Sequence, residues 1–221
     1  MEYKPNFSKA YVKANKYLAT SHNISTFPYS PRKLVKETGN GLIVCRTFEK
    51  AKEYDVDVKA LGSDSATLTK YHGKHIIFYD NEKSISHVKF SILHEYGHYI
   101  LNHNLNCKDK ELYGIYEVEA NYFAAQLLMP DQIVREFMRR GQNITCEFLE
   151  KTFDVSQEAA EKRLETFRKT IPEFRNSSET EFDDIIRTKY IHLINSICPK
   201  YDTYDFEDDL EMENQRNQWY Y

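Results

Sequence analysis

Apolar positions along the chain fall into several regular patterns. Val88, Ile92, Tyr96 and Tyr99 recur at spacings of three and four, and Leu93, Ile100 and Leu101 widen that face. This spacing predicts a buried helix over 88–101, with Ser84 or Ser86 as its cap. Phe7, Tyr11, Ala14 and Leu18 predict an amphipathic helix over 7–20. Ser30 and Pro31 open a short second helix that Gly39 ends. Leu42–Val44 suits a strand. Residues 66–70 and 75–80, joined at His72-Gly73, read as a hairpin rich in β-branched and aromatic residues. Between them, residues 49–65 are polar. The alternation of Val56 and Val58 predicts a short strand or a loop there.

The second half is helical in pattern. Glu117 to Met129 is rich in Ala and Leu and stops at Pro130. Residues 102–113 before it are polar and predict a loop. Ile133, Val134, Phe137 and Met138 form one stripe, closed by Gly141. Thr145 and Ser156 can cap two further helices, and Phe153-Asp154-Val155-Ser156 between them has the character of a helix-turn-helix. A polar linker over 172–180 precedes one helix carrying Phe182, Ile185, Ile186, Leu193, Ile194 and Ile197. Seven acidic residues lie between Asp202 and Glu213, and the stretch reads as a solvated tail ending in Trp219-Tyr220-Tyr221. The expected fold is α+β: a mainly helical domain with a small antiparallel sheet over 1–130, a helix-turn-helix-like region over 131–170, and a C-terminal helix with an acidic tail over 171–221.

Composition narrows the class. At 221 residues the chain can bury one sizeable core. A net charge of -4 argues against a general nucleic-acid binder. No apolar run approaches the roughly 18 residues of a membrane span, and no apolar segment follows the polar start, so a cytoplasmic protein is expected. Cys45, Cys107, Cys146 and Cys198 show no C-x-x-C spacing and read as free thiols.

The chemistry concentrates in His94-Glu95-Tyr96-Gly97-His98, an H-E-x-x-H stretch inside the apolar helix. Residues four apart share a helix face, so both imidazoles can aim at one cation while Glu95 reaches a water there. Gly97 costs about 1 kcal/mol in a helix interior, so something is expected to pass close to it. A catalytic zinc takes three protein ligands and a water. The longer pattern H-E-x-x-H-x-x-G-x-x-H fails, since Leu101 and Asn104 stand where it needs Gly and His. His103, about 500° round a helix from His98, is expected to face away. The third ligand is sought in the next helix. Glu117 shares a face with Asn121, which can orient a ligand by hydrogen bonding; Glu119, about 200° away, is the less favoured choice. Cys107 is a weaker candidate still.

Lys89 to His98, followed by Glu117-x-Glu119-Ala120-Asn121-x-Phe123-Ala124-Ala125-x-Leu127-Leu128-Met129-Pro130, resembles the ImmA/IrrE family of metallopeptidases. The resemblance covers roughly residues 7–170. Leu93 and Tyr96 depart from the family's usual Ala and Leu without touching a ligand. It implies a gluzincin-like fold, Zn2+ held by His94, His98 and Glu117, Glu95 as general base, and a helix-turn-helix repressor as substrate, whose cleavage switches on genes of mobile elements or stress responses. Tyr96, Tyr99, His103, His75 and Tyr79 are candidates to polarise the oxyanion. The alternative function is a non-catalytic regulator that binds DNA or a repressor partner through 131–170, where Arg139, Arg140, Lys162, Arg163, Arg168 and Lys169 supply positive charge.

Overall fold

The structure, a computed structural model, describes residues 3–58, 64–104, 106–170 and 175–199. Helix α1 (Phe7–Thr20) starts where the Asn6 side chain accepts the Lys9 N–H at 2.9 Å. Ala10, Tyr11, Ala14 and Leu18 enter the core, as the spacing predicts. Phe7 does not: it is 44% exposed and lies against the Tyr122 ring, because the first turn of α1 overhangs the core. Helix α2 (Pro31–Thr38) stops at Gly39. That glycine has an ordinary helical φ, so the left-handed region is not why it is needed. A Cβ there would collide with the Ile43 side chain and sit 2.6 Å from the Val35 carbonyl oxygen.

The sheet has three strands in the order β1-β3-β2: β1 (Ile43–Thr47), β2 (Ala66–Tyr71) and β3 (Lys74–Tyr79). The hairpin β2–β3 is antiparallel and turns at His72 and Gly73, both at positive φ. The sheet as a whole is mixed rather than antiparallel, since β1 joins β3 in parallel. The connection from β1 makes this possible. Instead of a strand near Val56, Phe48–Tyr54 forms a 3-10 helix that crosses the sheet. Ala51 packs there on Ile76 and Phe78, while Ile77 and Tyr79 face the main core. Both faces are covered, which is why Ile76 to Tyr79 is uninterruptedly apolar. Residues 59–63 lie outside those described.

Helices α3 (Ile85–Leu101) and α4 (Lys110–Leu128) pack side by side. Gly97 of α3 meets Ala120 and Phe123 of α4: a Cβ at 97 would lie 3.1–3.3 Å from the Phe123 ring and the Ala120 backbone. The close neighbour expected at that glycine is thus α4. Helix α4 begins seven residues earlier than the Ala-Leu pattern indicates. Asp109 caps it, accepting the N–H groups of Glu111 and Leu112 at 3.0 and 3.2 Å, and this cap starts the helix inside the stretch expected as a loop.

Helices α5 (Asp131–Arg139), α6 (Cys146–Phe153) and α7 (Gln157–Thr170) follow. Thr145 and Ser156 accept N–H groups at the starts of α6 and α7. Asp154, at positive φ, makes the α6–α7 turn and pairs with Lys89 of α3. Part of the expected linker is helical: Asn176 and Glu179 form a capping box on α8 (Ser177–Thr180). The single helix expected over 182–197 is two, α9 (Asp183–Lys189) and α10 (Ile191–Ile197). They break at Tyr190, whose buried hydroxyl lies 2.7 Å from the Ile24 carbonyl oxygen and 3.1 Å from that of Leu18. One hydrophobic cluster runs from Ala10 through Ile77, Leu93, Phe123 and Phe153 to Ile194. Among the described residues no helix is long and apolar enough to cross a membrane. The acidic stretch and Trp219-Tyr220-Tyr221 lie outside the described residues.

Candidate metal centre

Two helices build the site. His94 and His98 project from one face of α3, and Glu117 comes from the middle of α4. The Nε2 atoms of His94 and His98 are 3.0 Å apart. The Glu117 oxygens lie 3.2 Å from His94 Nε2 and 3.3 Å from His98 Nε2. Among the described residues this is the one group of three His, Cys, Asp or Glu side chains whose ligand atoms converge closely enough for a metal. The donor set fits zinc: bonds of about 2.0–2.1 Å at tetrahedral angles place neighbouring ligand atoms about 3.3–3.4 Å apart. Asn121, one turn beyond Glu117, holds His94 from behind, its Oδ1 2.9 Å from His94 Nδ1. With that proton on Nδ1, a cation taking the place of the proton shared with Glu117 would meet the Nε2 lone pair.

The electrostatics fit a cation at the point of convergence. Burial alone would raise the Glu117 carboxyl, but hydrogen bonds from His94, His98 and Tyr113, together with the His94 charge, hold it far below its usual range. Burial disfavours charge on His94, yet the Glu117 contact and the nearby Glu95 raise it above the ordinary histidine value. The carboxylates thus favour positive charge between the donors. Glu95 points beside this group. Burial, reinforced by Glu117, pushes its carboxyl up to about 7, against the lowering effects of His94 and the Leu68 backbone N–H. Leu68 lies on β2, the edge strand, so the sheet edge runs along the Glu95 side of the site.

The family model for the IrrE N-terminal-like domain, a peptidase family, matches residues 51–165, just over half of the chain. The chain belongs to this family. The ImmA/IrrE resemblance carried by His94 to His98 and Glu117 to Pro130 is therefore a family relation, and the family is one of metallopeptidases. No curated protein matches the chain.

Within this ImmA/IrrE chain the remaining candidates separate. Tyr96 is wholly buried on the far side of α3, its hydroxyl on Thr38 Oγ1. The Tyr79 hydroxyl accepts from Arg32 at 2.9 Å. Tyr99, one turn beyond Glu95, packs against His75 of β3 with ring centroids 4.9 Å apart. His103 does not face away. The helix ends at Leu101, and Asn102, at positive φ, turns the chain back, so that His103 Nδ1 lies 2.9 Å from His98 Nδ1. The helical extrapolation fails because there is no helix at 103. Glu119 is buried behind His103 rather than at the centre. Cys107 contacts the Asp109 carbonyl. Tyr113 went unnoticed in the sequence: its hydroxyl donates to Glu117, and burial, then that carboxylate, pushes it up to about 12. Its i, i+4 spacing to Glu117 becomes readable only once Asp109 is taken as the start of α4.

Proposed function

We propose that this chain is a zinc endopeptidase of the cytoplasm that cleaves a helix-turn-helix repressor. The observation that carries the reading is the convergence of His94 Nε2, His98 Nε2 and the Glu117 carboxylate within 3.0–3.3 Å, with Glu95 beside them. Two imidazoles and one carboxylate suit zinc among the divalent ions. Zinc held by His94, His98 and Glu117 would supply Lewis-acid chemistry there, polarising a carbonyl and lowering the pKa of a water toward about 7. The Glu95 carboxyl, raised to about 7 by burial, is matched to neutral pH. It takes the proton of the attacking water and delivers it to the leaving nitrogen, while the Leu68 N–H fixes its position. The β2 edge accepts an extended peptide as an added strand. Tyr113, whose hydroxyl donates to Glu117, is the side chain that would meet the carbonyl oxygen. The repressor substrate rests on the family resemblance.

The reading is tested with the purified chain and the helix-turn-helix repressor encoded beside it. One zinc per chain and cleavage lost in Glu95→Gln are expected; a chain without stoichiometric metal, or a Glu95→Gln variant as active as wild type, ends the proposal. The alternative, DNA binding through 131–170, keeps Arg139 and Lys162 on the surface but loses Arg140 and Arg163, whose side chains are buried. Arg139 and Arg140 are engaged with Glu136, Lys162 with Glu158, and Arg163 is buried on the Met129 carbonyl and Gln126. The side chains of Arg168 and Lys169 lie outside those described.

A further inference from the structure

Behind His98 lies a buried chain of polar groups that the proposed reaction does not use. The Asn6 backbone N–H donates to Glu119 Oε1 at 2.6 Å. Glu119 Oε2 lies 2.9 Å from His103 Nε2, and His103 Nδ1 lies 2.9 Å from His98 Nδ1. The side chains of His103, His98 and Glu119 are 2%, 6% and 9% exposed, so water does not compete for these contacts. Tyr116 stacks on the His103 ring, with centroids 4.4 Å apart and planes 13° from parallel, and fixes its orientation.

The order of protons along this chain follows from donor and acceptor chemistry. A carboxylate only accepts, so His103 Nε2 carries the hydrogen. A neutral imidazole has a single N–H, so His103 Nδ1 accepts. The hydrogen between the two rings then sits on His98 Nδ1, and with a cation in place of the proton shared with Glu117, His98 Nε2 turns its lone pair toward the centre. We infer that Glu119 and His103 are positioning residues that fix the tautomer and orientation of His98, as Asn121 does for His94. Helix α4 thereby sets both imidazoles as well as supplying Glu117: through one residue for His94, and through a histidine in between for His98. This inference rests on reading His98 as a metal ligand.

A Glu119→Gln variant tests it sharply. The Asn6 N–H still needs an acceptor and takes the amide oxygen of the glutamine. The amide NH2 then faces His103 Nε2 and reverses every proton downstream, so that His98 presents N–H rather than a lone pair to the centre. His103→Gln is the conservative counterpart: its NH2 donates to Glu119 and its oxygen accepts from His98, which keeps the native order. Full-length chains with 15N-labelled histidine are compared without metal at about pH 8, above the ordinary imidazole pKa of about 6.5. Relative to wild type, the His98 hydrogen is expected to move from Nδ1 toward Nε2 in Glu119→Gln and to stay in place in His103→Gln. Zinc affinity, read against a chromophoric chelator, is expected to fall ten- to a hundredfold in Glu119→Gln and less than about threefold in His103→Gln. An unreversed tautomer in Glu119→Gln, or equal loss of zinc in both variants, overturns the inference. If Glu119→Gln does not fold, His103→Phe decides: it keeps a ring against Tyr116 but removes the acceptor behind His98 Nδ1, and wild-type zinc affinity in that variant sinks the inference. A wild type that binds no zinc, with the hydrogen still displaced in Glu119→Gln, refutes the metal reading and leaves the proton order standing.

Discussion

Glu95 owes its raised carboxyl to burial on the sheet side of α3, and the same burial has a thermodynamic signature. In the metal-free chain the folded carboxyl keeps its proton up to about 7, whereas an unfolded glutamate loses it near 4.5. Between those values the folded state binds the extra proton, so stability falls as pH rises through the window. Replacing Glu95 by Gln removes this loss. Chelator-treated Glu95→Gln is expected to be more stable than wild type by on the order of 1–2 kcal/mol at pH 8 and indistinguishable near pH 4. Urea melts at both pH values check this; an equal difference at both would contradict it. At this scale the sequence was most legible where chemistry depends on fixed spacing. His94 and His98 are four apart on a helix, and Glu117 with Asn121 repeats that interval, so their sharing of a face needed no tertiary knowledge. His103 and Tyr113 are illegible for the opposite reason. Each depends on where a helix ends or begins, and that boundary is set by a single residue, Asn102 in one case and Asp109 in the other.

The pairing of α3 with α4 carries the site, since two ligands come from one helix and the third from the other. Gly97 sets how near they lie. Its substitution by Ala gains about 1 kcal/mol of helix propensity. The added methyl, however, meets the Ala120 backbone at 3.2–3.3 Å, which cannot turn aside as a side chain can. Overpacking of this kind costs about 1–3 kcal/mol. Gly97→Ala is therefore expected to lower the melting temperature and to weaken zinc binding together, because it moves Glu117 away from both imidazoles. A variant that binds zinc as wild type does would show that the crossing is not what holds the ligands. Among the elements, α1, α3 and the hairpin could be read from periodicity and turn residues. The 3-10 helix at Phe48–Tyr54 could not. Its apolar content is low, and it exists because Ala51 covers Ile76 and Phe78 on a sheet face the local sequence does not announce. The break at Tyr190 is similar: the pattern is one continuous stripe, but the hydroxyl contacts to Leu18 and Ile24 come from the other end of the chain.

For the molecule as a whole, one cluster joins α1, the sheet, the metal-bearing helices and helices α5, α6, α7, α9 and α10. Arg163 is its polar rivet. Buried in α7, it donates to the Met129 carbonyl oxygen at 2.7 and 3.0 Å and reaches Gln126, which in turn contacts Asn15, Asp131 and Gln132. Far- and near-UV circular dichroism are accordingly expected to report one coincident unfolding transition. Arg163→Ala, which leaves those acceptors buried without their donor, is expected to destabilise by about 3–5 kcal/mol. Separate transitions, with the α5–α7 segment melting first, would mean that the cluster is not cooperative.

Asn6 performs two tasks at once: its side chain starts α1, and its backbone amide ends the polar chain behind His98. Reciprocity then requires that a metal gripped by His98 steady the opening turn of α1 in return. Slower deuterium uptake at the amides of residues 6–9 on zinc loading is the trace such a coupling leaves. A protease that nicks the backbone just ahead of α1 would loosen the ion without ever entering the cleft.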